Sequence, residues 1–141
     1  MRASISVSRK VLQNFEASCE VTLTKVGRNT RKATEAACRA ISEESLRQVP
    51  RDTGTLADSQ FWNVTGNYRT GWTGTIGYGG KGNPINPKTG RPASSYMGAV
   101  HEDLTAHHPI GKAKFLEDPV REYARENFPR TVMQYVQDAL R

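Results

Sequence analysis

The sequence predicts an α+β domain, with N-terminal helices, an antiparallel sheet of three to four strands and a C-terminal helix packed on that sheet. Three observations carry this. Apolar residues in the first third recur at helical spacing, the period shortens to two after Pro50, and a helical period returns after Asp118-Pro119.

The first apolar series is Val11, Leu12, Phe15, Cys19, Leu23 and Val26, in steps of one, three, four, four and three. That is one face of a helix. A second series, Ala33, Ala37, Ala40 and Ile41, has small residues suited to close packing and is stopped by Pro50. The helical part thus covers 8–48. One straight helix of ~40 residues would be ~60 Å long, against about 35 to 40 Å for a compact domain of this size. A break at Gly27-Arg28-Asn29-Thr30 is therefore expected, with Gly27 as a left-handed cap and Asn29 or Thr30 accepting backbone N–H bonds. A protruding helix stays open for a subunit whose neighbours supply the missing burial.

The sheet is expected over 56–104. Trp62 and Val64 alternate with Phe61 and Asn63, and Trp72, Gly74, Ile76 and Tyr78 with Thr73, Thr75 and Gly77. Thr65-Gly66-Asn67 supplies hairpin turn chemistry between them. A third run, Tyr96 to Glu102, places Tyr96, Gly98 and Val100 on one face. Before it lies a loop over 79–94, in which Gly79 to Pro92 holds seven Gly or Pro among fourteen residues. That is longer than a mere connection. Its extended backbone, its cations Lys81, Lys88 and Arg91 and its one apolar anchor, Ile85, suit an arm that contacts a neighbour. The C-terminal helix, 117–141, starts at the cap Asp118 and Pro119 and is kinked or restarted by Pro129.

Composition suits one folded domain over 1–141, with 36% hydrophobic and 24% charged residues. No stretch approaches the ~20 apolar residues of a membrane span and no signal-peptide pattern follows Met1, so the expected setting is soluble and cytoplasmic in origin, with no membrane partner. Cys19 and Cys38 fall in helical sequence, ~28 Å apart on one straight helix, and read as reduced, buried side chains. The net charge of +6 is uneven: residues 1–51 hold ten Lys/Arg against five Asp/Glu, whereas 93–141 hold six against seven. A basic first third suits nucleic acid, an acidic protein or a solvated helix face.

His101-Glu102 followed by His107-His108 is the one cluster with a catalytic look. Two histidines chelate one zinc from a helix only when four residues apart. Here the spacing is six, and Thr105 and Pro109 oppose a helix, so metal, cofactor and catalytic residues are all expected to be none. Nucleophile elbow, phosphate loop and dinucleotide fingerprint do not occur in the sequence. The segment from Pro50 to Ser59 reads as a helix-to-strand corner: Asp52 and Thr53 bonding nearby backbone, Gly54 permitting a tight turn, Leu56 inserting into the core.

Pro-x-Asp-Thr-Gly-x-Leu-x-x-Ser, present as Pro50, Asp52, Thr53, Gly54, Leu56 and Ser59 after an Ala-rich helix, resembles the hallmark of a family of tailed-phage minor capsid, neck and tail-completion (head–tail joining) proteins. Tyr96 to Glu102, with His101-Glu102 at its end, is similar to the family's strand of form Tyr-Ala-x-x-Val-Glu or His-Glu. Gly111 to Glu117 is similar to its Lys-Phe-Leu approach to the last helix, here Lys114, Phe115 and Leu116. Asp103-Leu104-Thr105 departs from the Phe/Gly-Gly-Thr that often follows the glutamate, and the Gly/Pro loop is long. The resemblance implies a non-enzymatic virion protein, made in the host cytoplasm and built into a ring at the head–tail junction. It implies six copies first and twelve next, with connector or head-completion and tail-terminator or tail-tube proteins as partners, and DNA passing through the lumen without sequence-specific binding. Two other classes are a small basic DNA-binding module and a metal-dependent hydrolase.

Overall fold

A computed structural model describes residues 4, 6–80 and 82–141. Its axis is one uninterrupted helix, α1 (Arg9–Gln48), capped by Ser8, whose Oγ accepts from Val11 N–H at 3.3 Å. Forty residues at 1.5 Å each give ~60 Å. The expected break at 27–30 does not occur, because none of its residues serves as a cap. Gly27 is buried in mid-helix, where a Cβ would meet Tyr68 Cβ at 2.1 Å, so its missing side chain lets the tip of the sheet lie on the helix backbone. Asn29 donates across to Tyr135 O at 2.9 Å, and Thr30 Oγ1 donates back to Gly27 O at 2.9 Å inside the helix.

At Val49 the chain turns extended, with Val49 N–H still bonded to Ser45 O at 2.8 Å. The corner that follows holds one helical turn, α2 (Thr55–Asp58), and then the hairpin β1 (Phe61–Asn67) and β2 (Gly71–Gly77). The strands pair antiparallel, Trp62 opposite Ile76, Val64 opposite Gly74 and Gly66 opposite Trp72. The turn falls later than expected. Thr65, Gly66 and Asn67 remain in β1, and the reversal at 68–70 is held by Asn67 Oδ1, which accepts from Arg69 N–H at 2.9 Å and Thr70 N–H at 3.0 Å.

Among the described residues the sheet has two strands, so the expectation of three or four is overturned. The third run folds as a 3-10 turn, Ala93–Ser95, leading into a short helix, α3 (Met97–Glu102). Tyr96, Met97, Val100 and His101 are the half-buried positions, while Gly98, Ala99 and Glu102 face water. That is a helical stripe, and six residues are too few for periodicity to separate it from a strand. The architecture remains α+β.

The C-terminal region forms α4 (Glu117–Glu126) and α5 (Phe128–Leu140), with Pro129 in the first turn of α5. The restart expected at Pro129 is there. The expected packing of this helix on the sheet is not: α4 and α5 lie along α1. Phe128 sits beside Cys38 and Ile41 while Tyr135 sits beside Asn29, so α5 runs antiparallel to α1. The hairpin covers another side, Gly74 over Cys38 and Trp72 Nε1 donating to Gly27 O at 2.9 Å. Ala33, Ala37, Cys38 and Ile41 are buried between these neighbours, the role their small size suggests. Tyr68 and Arg69 at the hairpin tip bond Glu20, and hydrogen bonding from Tyr68, then Arg69, holds the Glu20 carboxyl below its usual range. Before that point α1 stands clear of the hairpin, and Val11, Leu12 and Phe15 are at least half exposed, as is Leu23 just beyond it. Cys19 and Cys38 are both free.

Gly27→Ala should lower the melting temperature. Alanine gains up to about 1 kcal/mol of helix propensity, but forcing a methyl into a packed contact costs about 1–3 kcal/mol. A thermal melt that rises instead would show that the hairpin tip yields freely.

Candidate functional site

The three sequence segments that stood out, 50–59, 96–102 and 111–117, meet at the C-terminal end of α1. Val49, Leu56, Tyr78, Ala93 and Phe115 form a buried cluster there, flanked by Leu46, Ala57, Tyr96, Met97, Val100 and Leu116. Phe115 is 1% exposed and meets Tyr78 and His101 edge-on, with ring centroids at 5.1 and 5.0 Å. Its place in the core is set by the backbone before it, where Lys114 takes a left-handed φ of 56° and donates its N–H to His101 O at 2.8 Å. Leu116 is half-buried.

Within the corner, Pro50 ends α1 and Gly54 has φ 82°, the turn geometry its position suggested. Leu56 is 5% exposed. Thr53 Oγ1 pairs with Thr55 Oγ1 at 2.7 Å. Asp52 is used differently from expectation: its exposed carboxylate takes the Lys88 ammonium, which ties the Gly/Pro loop to the corner. Ser59 is the clip of the motif. Its Oγ donates to Leu56 O at 2.6 Å and accepts Gly79 N–H at 3.0 Å, so the corner and the chain leaving β2 are joined through one buried hydroxyl.

His101 is held at both ring nitrogens. Nε2 accepts the Glu117 N–H at 3.3 Å, which leaves the proton on Nδ1 to be donated to Glu102 Oε1 at 2.8 Å. Both ring nitrogens thus engage protein groups. Lys114 Nζ lies between Glu102 and Glu117, 2.9 Å from Glu117 Oε2. Hydrogen bonding from Lys114, helped by His101, holds Glu102 below the usual carboxylate range, and Lys114 does the same for Glu117. Both carboxylates hold Lys114 above its usual value. Among the described residues no three His, Cys, Asp or Glu side chains come together as a metal site.

Of the loop residues, Lys81 lies outside the described residues. The rest of the loop folds on itself: Ile85 bridges to Pro92, Asn86 N–H bonds Arg91 O at 2.9 Å and Ala93 N–H bonds Pro84 O at 3.0 Å. Ile85 is 58% exposed and anchors in no core, and Arg91 is exposed, with Nη2 near Ser95 O at 3.5 Å. Beside the corner lies a cavity of about 230 Å³ lined by Pro50, Asp52, Leu56, Tyr96, His108 and Ile110. That is smaller than the roughly 300–1,000 Å³ of ordinary small-molecule pockets.

Sequence reasoning missed two groups. Tyr78, 5% exposed, holds a buried network in which its hydroxyl pairs with Ser45 Oγ at 2.6 Å and accepts from Gln60 Nε2 at 2.9 Å. Burial pushes this phenol up, and the two hydrogen bonds pull against it. Gly111 was read only as part of a motif, yet a Cβ there would meet Val49 C and Pro50 N at 2.6 Å. The bare backbone lets Lys112 N–H reach Gln48 O at 2.8 Å and satisfy a terminal carbonyl of α1. A glycine preceding the Lys-Ala-Lys-Phe run was the available signal.

No protein-family model, no curated protein and no solved structure matches the chain. None of the helices among the described residues is long and apolar enough to cross a membrane.

Phe115→Ala should destabilise by about 3–5 kcal/mol, the range for removing a buried phenylalanine, in denaturant unfolding. Lys114→Met should lower stability slightly at neutral pH, since its partners are solvent-screened. Lowered carboxylate pKa values contribute stability above the usual carboxylate range and lose it as pH falls through the lowered values. The gap between variant and wild type should therefore close on acidification, and a gap constant with pH would remove the ion cluster as its cause.

Proposed function

We propose that this chain is a non-catalytic structural subunit of a tailed-phage virion, forming a ring at the head–tail junction. One observation carries the reading: the three segments that resemble the neck and tail-completion family meet in one small core, where their side chains are used for packing, clipping and helix capping. Leu56, Ser59, Tyr96, His101 and Phe115 all turn inward on it or bond across it.

The distribution of apolar surface supports the same reading. The core occupies one end of a ~60 Å helix, and the other end carries exposed Val11, Leu12 and Phe15. A chain that leaves such a face in water gains burial from neighbours, and a head-to-tail contact repeated about an axis closes into a ring. Six copies is the favoured number and twelve the next. The partners are connector or head-completion proteins on one side and tail-terminator or tail-tube proteins on the other, with DNA passing through the lumen unread.

Native mass spectrometry with negative-stain imaging is the test, and a ring of six is expected. A strict monomer at high concentration, alone and with a connector ring, would overturn the reading. Salt-sensitive DNA retention by that monomer would replace it with a DNA-binding module, and stoichiometric zinc with a metal-dependent hydrolase.

A further inference from the structure

We propose that the apolar ridge on the free end of α1 docks into the groove between α1, β2 and α4 of a second copy of this chain. The inference rests on the ring reading and identifies the contact that builds the ring.

The ridge consists of Leu12, Phe15, Cys19 and Leu23, spaced three, four and four along one face, with Val11 beside them. Phe15 is 66% exposed and Leu12 50%. The hairpin reaches along α1 only to Glu20, so its tip stops short of Leu12 and Phe15. The groove is an open apolar space of about 430 Å³, lined by Cys38, Ile41, Ile76, Leu116, Val120 and Phe128. It exists because α4 packs on α1 and leaves the hairpin uncovered on that side.

The helix itself excludes the chain's own ridge as the occupant. Phe15 and Cys38 are 23 residues apart on one straight helix, ~35 Å at 1.5 Å per residue, so the ridge cannot fold back into its own groove. Charge favours the same pairing. Arg9 and Lys10 at the start of α1 have no ion-pair partner among the described residues, and on α4, the groove wall, Glu122 has none either, whereas Glu117, Asp118 and Glu126 are taken by Lys114, Lys112 and Arg125. Ridge and groove are different surfaces, so each copy offers one of each and the contact propagates head to tail. An amphipathic helix laid in an apolar groove is a common recognition mode. Ridge-to-ridge pairing would instead make a closed dimer and leave the groove empty.

Two substitutions on exposed positions separate these cases: Phe15→Asp on the ridge and Val120→Asp on the groove wall, where Val120 is 39% exposed. Circular dichroism and a thermal melt verify folding, and Ala124→Glu on the exposed lip of the groove replaces Val120→Asp should the latter melt early. Native mass is then read for wild type, each variant and their equimolar mixture. The expected result is a wild-type ring, each variant monomeric, and a mixture that gives a 1:1 dimer and nothing larger, since only one intact ridge meets one intact groove. Rings that survive in both variants would overturn this contact while leaving the ring reading in place. A groove variant that still associates while the ridge variant does not would mean that the ridge engages some other surface. A wild type that is monomeric alone would overturn this contact, and one that stays monomeric with a connector ring as well would overturn the ring reading too.

Discussion

A two-stranded hairpin is marginal in water by itself, and so are isolated helices of ten and thirteen residues. What joins them is the central stretch of α1, from Gly27 to Ser45, whose buried face is made almost wholly of Gly, Ala, Ser and Cys with one Ile. Small side chains bring the hairpin onto one side of the helix backbone and α5 onto another. Each neighbour stabilises the helix that stabilises the other. The Gln48 carbonyl, capped by Lys112 N–H across Gly111, brings the chain just before Phe115 to the end of that helix. The core around Phe115 depends on this.

How far the fold was legible in the sequence follows from which interactions are local. The α1 pattern, the paired strands, the corner at Gly54 and the restart at Pro129 were all readable, since each is set by residues within a few positions of one another. Gly27 was not. A glycine in a helix looks the same whether it ends the helix or receives a distant Tyr68, and only the tertiary contact decides. The run Tyr96 to Glu102 failed for a different reason: its length fits either period, and no partner strand was specified.

The candidate site was legible as residues and illegible as geometry. Pro50, Gly54, Leu56, Ser59, Phe115 and their companions were picked out on pattern; Leu56, Tyr96, Phe115 and Leu116 share one core, and the others turn, clip or pair around it. Their roles come from long-range pairings, such as Ser59 with Gly79 and Lys114 with His101, which no spacing encodes. Tyr78 was seen only as the last residue of an alternating strand, with nothing to mark it as the partner of Ser45 and Gln60. The exposure of Val11, Leu12 and Phe15 was equally invisible, because an apolar stripe reads the same whether its own chain or another covers it.

The order of synthesis gives this architecture a consequence in the cell. α1 leaves the ribosome before its partners: the hairpin is complete some thirty residues later and α5 some ninety residues later, so the long-range contacts that bury its middle wait for both. Until then the nascent chain displays an uncovered apolar helix. On a message carrying several ribosomes such helices are held close together, where unburied apolar surface exposes each chain to aggregation until its own partners arrive.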